Sequence, residues 1–196
     1  MNNAVVRLAS ASPRRRELLA QIGVPHIVTV PHIDETALQG EGPPDYVQRI
    51  ARSKAEAVWS QDRSLPVLSA DTTVVLDGTM FGKPADRAEA MDMLARLSGR
   101  THDVLTAVAL VHAGGLSLRM SVSGVRLRTL SAQECGAYWD TGEPRDKAGG
   151  YAIQGLAAVF VESMTGSYSG VMGLPLFETA ALLREAGLDS WCTMAP

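Results

Sequence analysis

Apolar positions along this chain follow two rhythms, and their alternation predicts an α/β fold. Val5 to Ala9 reads as a short buried strand, and Ile27 to Val30 as a second strand. Between them Ser12 is placed to cap a helix, and Pro13 sits at its first position, where a missing N–H is harmless. Leu18, Leu19 and Ile22 give that helix an apolar face, and Gly23 ends it. Pro31 to Pro44, rich in Pro, Gly and acids, reads as a loop. A helix is predicted from Asp45 to Ser60, with Val47, Ile50, Ala51 and Val58 as its apolar stripe. Val67 to Leu76 is the most apolar strand, and Asp77-Gly78 turns it into a short arm, Thr79 to Phe81.

Further along, Asp86 and Glu89 form a capping pair for a helix that stops at Ser98-Gly99. Val104 to Val111 and Leu118 to Leu127 form a long hairpin joined at Gly114-Gly115. Ser131 and Glu134 cap a short helix. Val159 to Met164 reads as a strand, and Leu176 to Glu185 as a last helix stopped by Gly187.

The 196 residues suffice for one domain, or for two small lobes sharing a cleft. A formal net charge of −3 argues against a general nucleic-acid surface, so any anion site must be a local cluster of cations. Cys135 and Cys192 lie far apart without CxxC neighbours, which points to free thiols in a reducing cytosol, not zinc or a disulfide framework. The N-terminus has no secretory pattern, and no apolar stretch is long enough to span a bilayer.

Five places break the pattern. Ser10-Ala11-Ser12-Pro13 leads into Arg14, Arg15 and Arg16 at a helix start, where the dipole favours acids. A multiply charged anion would resolve that conflict through the hydroxyls, amides and guanidinium forks, whereas a solvated basic turn would leave it standing. Lys54 falls on an apolar helical stripe, so it either reaches to the surface or meets a buried anion. Asp71 interrupts the most apolar strand, which requires a partner, a metal or a strand end. Lys83 is constrained between Gly82 and Pro84. Gly142 to Gly155 packs charges and glycines around Gln154, whose amide both donates and accepts, as reading a base edge requires.

Cations of this kind neutralise a polyphosphate, while Asp71 and Glu35 suit a hard divalent ion and the orientation of water. There is no P-loop, serine elbow or HExxH motif. The set fits metal-assisted attack of water on a phosphate.

The runs Leu8 to Arg15, Ala70-Asp71-Thr72, Gly82-Lys83-Pro84, Leu97 to His102, Glu143-Pro144 with Asp146 to Gly149, and Gly173 to Leu176 resemble the Maf family, in order, over nearly the whole chain. The resemblance implies an elongated mixed β-sheet flanked by helices with a central cleft, as in inosine triphosphatases. It also implies a cytoplasmic nucleoside triphosphate pyrophosphatase that depends on a divalent metal (Mg, Mn or Co), frequent homodimers, and a link to septum formation. The paired arginines, Thr72, and Tyr151 to Gly155 followed by Gly166-Ser167-Tyr168 are similar to the subgroup acting on dTTP and UTP. By that resemblance Asp71 is the proton acceptor, and Arg15, Thr72 and Gln154 are tied to substrate choice. Ser10, Arg14, Lys54 and Lys83 hold phosphates, and Glu35 joins Asp71 at the metal. A nucleotide-binding regulator of division and a purine-directed house-cleaning enzyme are the alternatives.

Overall fold

A computed structural model describes residues 4–188. Seven strands form one mixed sheet. In chain order they are β1 (Val6–Ala9), β2 (His26–Thr29), β3 (Val67–Leu76), β4 (Thr79–Phe81), β5 (Thr101–His112), β6 (Gly115–Leu127) and β7 (Val161–Thr165). The helices are α1 (Pro13–Gln21), α2 (Pro43–Gln61), α3 (Arg87–Leu97), α4 (Ala132–Asp140), α5 (Tyr168–Val171) and α6 (Leu176–Glu185). Three 3₁₀ turns, Glu143–Asp146, Ala148–Gly150 and Leu156–Phe160, fill the path from α4 to β7. Cys192 lies outside the described residues.

The sheet runs β2-β1-β3-β5-β6-β7. β1 is parallel to β2 and β3, and the remaining pairs are antiparallel. The two edges of β3 differ. One pairs with β5 from Val67 to Val75. The other meets β1 at Val67 to Ser69 and β4 at Val74 to Leu76. Neither β1 nor β4 covers Ala70 to Thr73, so Asp71 and Thr72 lie at a gap in the sheet edge.

Alternation along β3 sends its residues to opposite faces. Val67 packs in a cluster with Val47, Ala51, Ala55 and Val58 of α2. Leu68 and Ala70 pack on the other face with Leu18 and Leu19 of α1 and Leu182 and Leu183 of α6. A third cluster joins α3, α4 and the 3₁₀ segment through Leu94, Leu97, Tyr138 and Phe160.

Most predicted elements occur where the pattern places them, with β3, β4 and α6 on their predicted bounds. The hairpin is longer than expected because Thr101 to Asp103 and Gly115 to Ser117 pair as well. α2 begins earlier, at Pro43, since proline is compatible with a first helical position. The last strand begins only at Val161, because Val159 and Phe160 belong to a 3₁₀ turn.

One polar pair sits inside this frame. His102 is 2% exposed, and its Nε2 lies 2.7 Å from the Tyr151 hydroxyl. Burial holds its imidazole down to about 4, against 6.5 for a free histidine. A base depressed on folding leaves stability intact above its unfolded pKa and removes it as pH falls through the folded one. Between pH 6.5 and pH 4 the protein should therefore lose about 3 kcal/mol of folding stability through this group alone. Urea unfolding across that window should show a shallower slope in His102→Phe; an unchanged slope would remove His102 as its source.

Candidate active site

The gap in β3 opens into a cleft of about 750 Å³. All nine residues singled out from the sequence line it: Ser10, Arg14, Arg15, Glu35, Lys54, Asp71, Thr72, Lys83 and Gln154. They come from six parts of the chain, and the fold explains how each arrives.

α2 lies on β3 with Val47, Ile50, Ala51, Ala55 and Val58 buried, and Lys54 falls on the same face. The Ser69 hydroxyl donates to the Ala51 carbonyl at 2.5 Å and fixes the helix against the strand. Three residues on along α2 and two along β3, Lys54 Nζ meets Asp71 Oδ1 at 2.8 Å. Lys54 is 7% exposed and Asp71 6%, so the pair is inside the protein. Burial raises the Asp71 carboxyl above its ordinary range, against the pull of Lys54 and Arg15 toward ionisation. A carboxylate raised by burial is a stronger base than an exposed one, which suits it to accept a proton.

Lys54 also meets Glu35 Oε2, at 3.0 Å. Glu35 comes from the loop between β2 and α2, and α2 holds that loop. Tyr46 donates its hydroxyl to the Glu35 carbonyl at 3.0 Å. Arg49 donates to the Thr36 carbonyl and, from two nitrogens, to the Glu41 carboxylate. Hydrogen bonds from Arg49 depress the Glu41 carboxyl to about 2. The Tyr46 hydroxyl is pushed up to about 12, by burial first and then by Asp71 and Glu35.

On the opposite face of the sheet, Arg15 leads a relay of hydrogen bonds. Its Nε donates to the Gly173 carbonyl at 2.7 Å and its Nη2 to Thr72 Oγ1 at 3.3 Å. Thr106 donates to the Gly170 carbonyl at 2.8 Å, so in the 3.0 Å contact between the two threonines Thr72 is the donor. Gly173, at φ +112°, has a backbone that a side chain would strain. Burial lowers the Arg15 pKa from its ordinary value, opposed by Asp71 and Glu35. An arginine remains charged under such a shift.

The remaining residues are less committed. Ser10 Oγ accepts the Ser12 amide at 3.1 Å, which braces the turn. Ser12 caps α1 by accepting from the Arg15 amide. Arg14 pairs with Glu17 on the exposed rim at 2.7 Å. Lys83 is exposed on the far wall, where the Gly149 amide donates to the Gly82 carbonyl at 3.0 Å. Gln154 lines that wall and makes no side-chain hydrogen bond among the described residues.

Two cleft residues escaped the sequence reading. Lys147 lines the cleft and is paired with Asp146. Tyr46 lines it beside Glu35. Lys147 sits in a charge-rich turn with no periodicity to mark it. Tyr46 could be found only through its distance from Glu35 in space.

Asp71 and Glu35 converge on one ammonium and present hard oxygen donors to the same point. No group of three candidate ligands occurs among the described residues. Two carboxylates fit an ion such as Mg²⁺, which keeps waters and takes its other ligands from phosphate oxygens.

The family described as Maf-like protein matches residues 5–186. The chain belongs to the Maf family. It is 57% identical over 190 residues to a dTTP/UTP pyrophosphatase of Bordetella parapertussis, with 92% of each chain covered. A dTTP/UTP pyrophosphatase of Bordetella avium is 55% identical, with 92% of this chain and 94% of the relative covered. One from Hahella chejuensis is 51% identical over 187 residues, covering 94% and 93%. Among solved structures, the Staphylococcus aureus Ham1 protein aligns at a TM-score of 0.45 and 14% identity, over 62% of this chain and 71% of that one.

The two carboxylates on Lys54 should differ sharply in their hold on this Maf fold. Lys54→Met leaves Asp71 buried without its main partner and should cost about 3–5 kcal/mol. Glu35→Gln breaks a pair whose acid is half exposed, at 51%, and should cost less than about 1 kcal/mol. Urea denaturation at pH 7 without divalent ions measures both; equal costs would contradict the buried character of the Lys54–Asp71 pair.

Proposed function

We propose that this Maf protein hydrolyses dTTP and UTP to the monophosphate and pyrophosphate. The observation that carries the reading is a buried, raised-pKa carboxylate at the head of a cation-lined cleft. The relatives' dTTP/UTP pyrophosphatase activity, at 51–57% identity, supports the choice of substrate.

In the proposed reaction, Asp71 takes a proton from water as the water oxygen attacks the α-phosphorus. The bond from that phosphorus to the oxygen bridging to the β-phosphate breaks, and pyrophosphate leaves. Arg15, Lys54 and Lys83 face the triphosphate from both walls and neutralise the charge on its departing oxygens. Arg14 and Ser10 extend this grip at the rim, and Lys147 adds a cation on the far wall. Glu35 and Asp71 would hold a divalent ion, Mg, Mn or Co, which supplies charge neutralisation on the phosphates when bound. Thr72, fixed between Arg15 and Thr106, and Gln154 shape the choice of base.

The same reading takes the chain as one catalytic unit, working in the cytoplasm as a homodimer in clearance of nucleotide pools, with a role in division. No helix of the described residues is long and apolar enough to cross a membrane.

A panel of nucleoside triphosphates, assayed for pyrophosphate release with Mn²⁺ or Mg²⁺, tests the substrate directly. dTTP and UTP should lead it, and a purine triphosphate in first place would overturn the pyrimidine assignment. Asp71→Asn keeps the shape but loses the basicity, and should lower kcat by about 10²- to 10⁴-fold while nucleotide affinity changes little. Undiminished turnover in that variant would remove Asp71 from proton transfer.

A further inference from the structure

The wall of the cleft that carries Gln154 has no regular secondary structure from Tyr151 to Gly155. Its main chain therefore needs partners from elsewhere. A buried tyrosine and a half-buried glutamate outside the cleft supply them. The Tyr138 hydroxyl, on α4, accepts the Ala152 amide at 3.1 Å and donates to Glu143 Oε1 at 2.8 Å. The Glu143 carboxylate also accepts the amides of Leu156 and Ala157, at 3.0 and 3.3 Å. The Tyr138 ring meets Phe160 edge-on, with centroids 5.2 Å apart. Tyr138 and Glu143 thus grip the segment before and after Gln154 without lining the cleft themselves.

Gly155 fits the same arrangement. A Cβ there would fall inside the Glu143 carboxylate, and its φ of −108° lies outside the left-handed region that by itself calls for glycine. The glycine lets the carboxylate reach the main chain behind Gln154.

Such a brace has a specific use at a base-reading wall. Uracil and thymine present an N3–H donor beside O4, whereas cytosine presents an N3 acceptor beside an N4 amino donor. A glutamine amide satisfies either pattern by flipping. Gln154 makes no side-chain hydrogen bond among the described residues, so nothing fixes which way its amide faces, and the main-chain groups of the segment, which cannot flip, must make the distinction.

We infer that Tyr138 and Glu143 are positioning residues for substrate choice, holding the Ala152–Gly155 segment so that its main-chain groups, together with Gln154, meet a uracil-type base in one register. The inference rests on the pyrimidine reading above.

Two variants test it. Tyr138→Phe keeps the ring against Phe160 and deletes the hydroxyl. Gly155→Ala displaces the Glu143 carboxylate, the mobile end of a side chain. Each is assayed on UTP, dTTP and CTP, with a thermal melt to confirm folding. In both, the ratio of kcat/KM for UTP over CTP should fall about tenfold, the size of one well-placed hydrogen bond. The change should appear as a higher KM for UTP, with kcat within about twofold of wild type, as loss of uniform binding predicts. A melt shift with the ratio intact in both variants would make the brace structural only and overturn the inference. A uniform fall in kcat on every nucleotide would overturn it too. Absence of any uracil preference in the wild type would defeat the pyrimidine reading, and the inference with it.

Discussion

A lysine and an aspartate share the interior at the centre of this protein, and neither belongs there alone. Moving one unpaired charge out of water costs several kcal/mol even after the protein relaxes. Lys54 and Asp71 meet at 2.8 Å with less than a tenth of either surface exposed. That contact requires α2 to lie on β3 in one register, which the Ser69–Ala51 hydrogen bond and the packing of Val47, Ala51 and Val58 enforce. A buried ion pair is weak support for stability, since apolar residues of the same volume would serve the core as well or better. Its presence in the most apolar strand is better explained by what faces it. Asp71 sits where β1 has ended and β4 has not begun, so its carboxylate opens onto the cleft while the strand around it remains core.

The same gap explains why residues from opposite faces of the sheet serve one site. Asp71 points toward α2, and Thr72, its neighbour, toward Arg15 and Thr106. Within a continuous sheet these side chains would be separated by backbone. At an uncovered edge both reach the same volume. β1 also delivers the Ser10-to-Arg15 turn to this point, at the carboxyl end of a parallel strand. Open α/β sheets commonly bind ligands there.

Much of this was legible in the chain because the informative residues violate a strong local pattern. Asp71 stood out against a ten-residue apolar run, and Lys54 against a helical stripe. What could not be read is that the two violations answer each other, since nothing in either pattern sets the distance between them. Lys147 and Tyr46 were missed for a different reason. Lys147 lies in a turn where charge is ordinary, and Tyr46 lies near the start of a helix where a half-buried ring breaks no rule. The 3₁₀ turns from Glu143 to Phe160 were invisible because Gly, Pro and charged residues without period read as loop.

These two kinds of legibility divide the cleft. The wall that carries the proposed proton acceptor stands on α1, α2 and β3, whose packing fixes Arg15, Lys54 and Asp71 through the core itself. The wall proposed to face the base is irregular, and side chains such as Tyr138 and Glu143 hold it in place of a hydrogen-bond ladder. A substitution in the first wall disturbs packing and chemistry together. In the second, Tyr138, Tyr151, Ile153 and Phe160 belong to the core cluster of α3 and α4, whereas Glu143 and Gln154 lie outside it. On the proposed roles, chemistry is tied to core packing, and the choice of base is shared between Thr72, which rests on that packing, and Gln154, which does not. Sequence change that alters the substrate with least disturbance of the fold then runs through Gln154 and Glu143, outside the core cluster, and not through Thr72, next to Asp71 on β3.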